Sequence, residues 1–162
     1  MKKIKVMFVC MGNICRSPTA HAVFRDLVEK SNLSDRIEVA SSGTHAYHIG
    51  EKADTRSASL VKSKGIRIDD LRAQKIMPQD LFEYDYILTM DRDNTTIVKS
   101  MATVDQADKI QLFLEYAGDT WRTREVPDPY FGGNDGFNRV YDMIQDASLG
   151  LLKSIKKSYN LE

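Results

Sequence analysis

The amino-acid sequence predicts a three-layer α/β fold, a four-stranded parallel sheet with helices on both faces. Three observations lead there. Short, mostly apolar runs of β-favouring residues recur at 4–9, 36–41, 84–90 and 109–113. Segments with helical periodicity separate each run from the next, which makes consecutive strands parallel through crossovers. No repeat, linker or low-complexity tract interrupts the pattern, so residues 1–162 read as one domain with a sizeable core.

The first strand is Ile4-Lys5-Val6-Met7-Phe8-Val9, and a tight loop follows it. Ser17 at N-cap and Pro18 at the first helical position open a helix to about Glu29. Its apolar face carries Ala20, Val23, Phe24, Leu27 and Val28. The second strand ends at Ser42-Gly43-Thr44, and the polar stretch from His45 to Thr55 passes over the sheet. Ala53-Asp54 starts a second helix that stops at Gly65, followed by an irregular crossing with strand-like character at Ile66-Arg67-Ile68. Residues 77–81 read as one helical turn, and Asp91 caps a helix through Val98 after the third strand. Beyond the fourth strand lies an irregular stretch rich in Gly, Pro and aromatics. The final helix covers about 135–158, and Gly150 inside it costs something against Ala without breaking it.

Lys plus Arg and Asp plus Glu both number 23, so net charge gives no reason to expect nucleic-acid or membrane binding. No stretch is apolar for long enough to span a bilayer, and the run before Gly12 is too short for a signal-peptide core. Two cysteines five apart make no disulfide framework, which points to a reduced, cytoplasmic compartment.

The loop after the first strand carries the chemistry. Strand, tight loop and helix start aim backbone N–H groups at one point, where an anion can sit. Met11, Gly12, Asn13, Ile14, Cys15 and Ser17 are thereby candidate phosphate-binding residues, with Gly12 and Asn13 turning the backbone. Cys10 and Arg16 stand at the loop's two ends: a nucleophile and a bidentate oxyanion clamp, which together suggest covalent phosphoryl transfer through cysteine. The converging dipoles, Arg16 and the Ser17 hydroxyl favour the thiolate, the reactive form. No Gly-Lys-Ser/Thr follows, which excludes a nucleoside-triphosphate loop.

The leaving oxygen needs a proton. Asp128 in Val126-Pro127-Asp128-Pro129-Tyr130-Phe131 is the best candidate, its backbone restricted by flanking prolines. Taken alone, the same residue also reads as a turn aspartate. Tyr47, Tyr130 and Phe131 either sandwich an aryl ring or simply pack. Cys15 either traps oxidised Cys10 as a disulfide or fills the loop's end as a small core side chain. His21, His45 and His48 form no metal-ligand grouping with the cysteines, His21 reads as a surface or half-buried residue, and Asp91 and Asp93 read first as helix-start residues.

Cys10-Met11-Gly12-Asn13-Ile14-Cys15-Arg16-Ser17-Pro18 resembles the signature loop of the low-molecular-weight protein tyrosine phosphatases. Asp128-Pro129-Tyr130 resembles that family's acid loop, and Thr89-Met90-Asp91 the end of its third strand; the likeness covers nearly the whole chain. The resemblance implies a phosphotyrosine-containing protein substrate, a cysteinyl-phosphate intermediate, inorganic phosphate as product, and no metal or organic cofactor. It implies Cys10 as nucleophile, Arg16 as clamp and Asp128 as acid, then base. It also implies that Asn13 and Ser17 order the loop with support from Ser42, and that Tyr47 and Tyr130 line the entrance. Phe131 stands where many members carry a second tyrosine. Around Asp69-Asp70-Leu71 there is no counterpart of the histidine with which some members hold the loop asparagine. The alternatives are arginine phosphatases of this fold, which carry Thr where Ile14 stands, and arsenate reductases, which need cysteines beyond Cys15 that this chain lacks. A phosphate-binding module without turnover is a third.

Overall fold

The computed structural model describes residues 2–131 and 133–162, without the side chains of Phe131 and Asn134. Four parallel strands, β1 (Ile4–Cys10), β2 (Ile37–Gly43), β3 (Tyr86–Thr89) and β4 (Ile110–Leu112), pair in the order β2-β1-β3-β4. The helices are α1 (Arg16–Lys30), α2 (Thr55–Ser63), α3 (Pro78–Glu83), α4 (Arg92–Met101) and α5 (Asn134–Ser158). The predicted layers follow from the alternation of β1. Val6, Phe8 and Cys10 face a core shared with α1, α2 and α5. Met7 and Val9 face the opposite core, with Leu81 of α3 and Val98 of α4. A strand buried on both sides reads as a continuous apolar run, as this one does.

Several boundaries differ from the sequence reading. The helix α1 starts at Arg16 with Cys15 as its N-cap, and Ser17 lies inside its first turn. The Ser17 hydroxyl does not cap the helix; it is taken up by the Cys10 thiol. The helix α2 does stop at Gly65, whose φ of 79° and backbone bonds (Gly65 N–H to Lys62, Ile66 N–H to Val61) close its last turn. Ile66 and Ile68 are buried but form no strand; only Lys75 bridges to Gly43.

Gly150 carries more weight than its helix propensity suggests. A Cβ there would sit 1.8 Å from the Tyr116 carbonyl oxygen, because α5 packs directly on the turn Phe113–Tyr116. Gly150→Ala is expected to destabilise the protein by about 3 kcal/mol despite Ala's better helix propensity. Thermal unfolding checks this, with a Tm fall of roughly 6–12 °C expected.

His21 ties α1 to β2 through Nδ1 and the Ser41 hydroxyl at 2.9 Å. Burial first, then the Arg25 charge, pull its pKa down to about 3, with Asp70 opposing. The folded state thus keeps His21 neutral, while the unfolded chain takes up a proton below about pH 6.5. This contribution to stability is complete above that pH and is lost as pH falls toward 3. By pH 5 the loss is about 2 kcal/mol. Urea midpoints at pH 7 and pH 5 should therefore differ less in His21→Asn than in the parent.

Candidate active site

In-register parallel pairing brings the carboxyl ends of three strands together, with Cys10 beside Gly43 and Val9 beside Thr89. Ligands gather at that edge in open α/β sheets. The loop from Met11 to Cys15 is held from outside by its carbonyls. Cys10 O accepts from Thr44 N–H, Met11 O from His45 N–H and Ile14 O from Asp54 N–H, at 2.9, 3.0 and 2.7 Å. With those carbonyls turned outward, the loop's N–H side faces Cys10, and the Asn13 N–H points at the sulfur from 3.3 Å. Asn13 makes the turn with a φ of 57°. Gly12 has no positive φ; its lack of a side chain makes room for His48, whose ring would lie 3.1 Å from a Cβ there. Gly43 is needed for closeness, since a Cβ would come within 2.7 Å of Met11 O.

Cys10 Sγ lies 3.0 Å from Ser17 Oγ. That hydroxyl accepts from Asn13 Nδ2 at 2.7 Å, and its single proton has two acceptors, the sulfur and the more distant Ser42 carbonyl at 3.3 Å. A thiolate wins that competition because the bond becomes charge-assisted. Ser42 supports the loop through its carbonyl, while its hydroxyl is directed at Met7 Sδ. The partner for Asn13 that the sequence left unassigned is the backbone N–H of Gln74, which donates to Oδ1 at 2.9 Å. Asn13, Ser17 and Ser42 are all buried behind the loop.

Arg16 is buried at the loop's other end. Its Nη1 donates to Asp91 Oδ2 at 2.6 Å and to Val126 O at 3.1 Å. Burial works against the guanidinium's charge, but the Cys10 sulfur and Asp91 outweigh it and raise the pKa. Among the described residues its Nε and Nη2 meet no protein acceptor, so one edge of the fork is available to an oxyanion. Asp91 thus has a function the sequence reading ranked second. One carboxylate oxygen caps α4 at Asn94 N–H, and the other orients Arg16. Its position as a cap hid this second role.

The segment bearing Asp128 is fastened to the sheet. Val126 N–H donates to Met90 O at 2.7 Å, and Glu125 accepts from Arg92 N–H at 2.8 Å and pairs with its guanidinium at 3.1 Å. Asp128 is half-buried, its Oδ1 accepting from Tyr130 N–H at 2.9 Å. Cys10, Arg16 and Asp128 line one cavity of about 90 Å³. Met11, Gly12, Ile14 and Cys15 line it from the loop, and Tyr47 and Tyr130 line it as well. His48 lines it too, which the sequence reading missed; its ring pairs with Glu51 at 3.0 Å. Tyr47 is largely exposed and stacks on His45 with ring centres 5.2 Å apart. The side chain of Phe131 lies outside the described residues. A larger groove of about 760 Å³ runs between α4 and β4, but its lining holds no thiol.

Cys15 is a different thiol. Its Sγ donates to the Tyr130 hydroxyl at 3.1 Å, and burial pushes its pKa up to about 11, so it stays protonated. Among the described residues no three His, Cys, Asp or Glu side chains converge to hold a metal ion.

A parallel sheet with a thiol inside an anion cradle after its first strand defines the chain as a phosphate-handling α/β protein. Comparison with known proteins gives the family. The model of the low molecular weight phosphotyrosine protein phosphatases matches residues 5–161. The low molecular weight phosphotyrosine protein phosphatase of Schizosaccharomyces pombe is 43% identical over 155 residues, 95% of this chain and 98% of that one. Among solved structures, a protein tyrosine phosphatase from Entamoeba histolytica superposes with a TM-score of 0.91 at 36% identity, covering 97% of this chain and 99% of that one. A Drosophila arginine phosphatase superposes with a TM-score of 0.86 at 35% identity, covering 94% and 98%. The chain belongs to the low molecular weight phosphotyrosine protein phosphatase family.

Proposed function

We propose that this chain hydrolyses phosphotyrosine in proteins by two in-line displacements at Cys10. The observation that carries the reading is the sulfur itself, held at 3.0 Å by Ser17 and 3.3 Å by the Asn13 N–H in a cavity lined also by Arg16 and Asp128. In the first step the Cys10 thiolate forms the S–P bond while the P–O bond to the phenol breaks, and Asp128 gives its proton to the departing oxygen. The loop N–H groups and the free edge of Arg16 bind the equatorial oxygens, where charge is spread in the transition state. In the second step the Asp128 carboxylate takes a proton from water as that water attacks phosphorus. The S–P bond breaks, inorganic phosphate leaves, and Ser17 steadies the returning thiolate.

Tyr47 and Tyr130 flank the entrance and suit an aryl ester, and Ile14 adds apolar surface to the cavity without a hydroxyl. These features favour phosphotyrosine over phosphoarginine. Among the described residues no helix is long and apolar enough to cross a membrane. A cytoplasmic site of action goes with two free thiols, which a reducing compartment preserves. The test is phosphate release from matched phosphotyrosine, phosphoserine and phosphoarginine peptides. Preference for phosphotyrosine is expected; preference for phosphoarginine would replace the substrate assignment.

A further inference from the structure

Asp54 is the N-cap of α2, and capping needs only one of its carboxylate oxygens. Oδ2 fulfils that role, accepting from Arg56 N–H and Ser57 N–H at 3.1 and 3.2 Å. The other oxygen, Oδ1, accepts from the hydroxyl of Tyr130, which lines the cavity, at 2.7 Å. The same residue's N–H holds Ile14 O of the anion loop at 2.7 Å. Asp54 therefore joins the helix start, the cysteine loop and the segment bearing Asp128. We propose that Asp54 and the Tyr130 hydroxyl form a latch that positions the Asp128 carboxyl for proton transfer. This rests on the reading of Asp128 as the acid.

The mechanical path is short. Tyr130 holds Asp128 Oδ1 through its own backbone N–H at 2.9 Å, so moving the tyrosine moves the carboxyl. The tyrosine is fixed at its far end by Asp54 and by the Cys15 thiol, which donates to its oxygen at 3.1 Å. Its ring is fixed as well. The Arg56 guanidinium lies 5.1 Å from the Tyr130 ring centre and 4.5 Å from that of Phe137, and the two rings meet edge to face at 5.8 Å. Burial, Cys15 and Asp54 all push the Tyr130 phenol's pKa up, so it remains a donor at working pH. A hydrogen bond between residues 76 apart in sequence is not needed to cap a nine-residue helix. It ties the segment of Asp128 and Tyr130, both of which line the cavity, to the start of α2.

Two variants separate latch from cap. Asp54→Ser keeps a good N-cap oxygen but lacks the reach to Tyr130. Tyr130→Phe keeps the ring and removes the hydroxyl. A misplaced acid matters most when the leaving group is basic, so kcat/KM should be measured for phenyl phosphate and for 2,4-dinitrophenyl phosphate. Each variant is expected to lose about tenfold on phenyl phosphate, and at least fivefold less on the dinitrophenyl ester. The double variant should lose no more than the worse single one, because both break the same bond. Equal loss on both esters, or additive losses, would overturn the latch. Asp128→Asn run alongside separates the failures. If it shows the leaving-group dependence and the latch variants do not, only the latch is wrong; if it shows none, the acid assignment fails and the latch with it.

Discussion

Cys10→Ser is expected to lower kcat on a phosphotyrosine peptide by about 10⁴-fold or more while leaving phosphate affinity within a few-fold. The two halves of this expectation have different origins. Turnover requires an anionic nucleophile at neutral pH, and the loop can supply one only from a thiol, because a serine hydroxyl holds its proton far more tightly. Affinity requires the cradle, and the cradle is held independently of the sulfur. Its carbonyls are bound from outside by Thr44, His45 and Asp54, and Arg16 is fixed by Asp91 and Val126. A serine Oγ would still face Ser17 and the Asn13 N–H, so the loop has no reason to collapse. Steady-state kinetics with calorimetric titration of inorganic phosphate reads both quantities. Loss of phosphate binding together with turnover would mean that the sulfur organises the loop.

Asp128→Asn is expected to lower kcat/KM on the same peptide by about 10²–10³-fold. The leaving phenol of tyrosine has a pKa near 10, so departure as the bare anion at neutral pH is slow. Asparagine keeps the Oδ1 acceptor for Tyr130 N–H, and with it the local turn. What the variant removes is therefore the proton, not the loop. A loss below about threefold would show that another group protonates the leaving oxygen, and His48, which shares the cavity, would be the first to examine.

These two residues were legible in the sequence for unequal reasons. Cys10, Arg16 and Ser17 lie within one strand–loop–helix unit, where spacing alone nearly determines geometry. Asp128 is far along the chain and stood out because prolines flank it and because of the family resemblance. The strand count and the parallel order were legible from periodicity, since β1 is apolar on both faces. What escaped was whatever depends on contacts between distant segments. Asp91 looks like an ordinary cap until β3 is placed beside β1, which brings it to Arg16. Asp54 looks the same until Tyr130 reaches it. The hold on Asn13 comes from a backbone N–H, that of Gln74, which no side-chain pattern reveals. Ser17 was misassigned as a cap because Ser-Pro is a helix-start signal. Here the thiol competes for its hydroxyl, and the helix begins two residues earlier, at Arg16. Gly150 was read for propensity alone, while the Tyr116 carbonyl decides its identity.

The central claim is a covalent bond between phosphorus and the Cys10 sulfur. It is tested most directly by quenching the enzyme in denaturant during turnover of a phosphotyrosine peptide and locating the phosphoryl group by mass spectrometry. The mechanism predicts it on Cys10, and absent from Cys10→Ser. A phosphoryl group on any other residue, or active enzyme that never carries one, would contradict it.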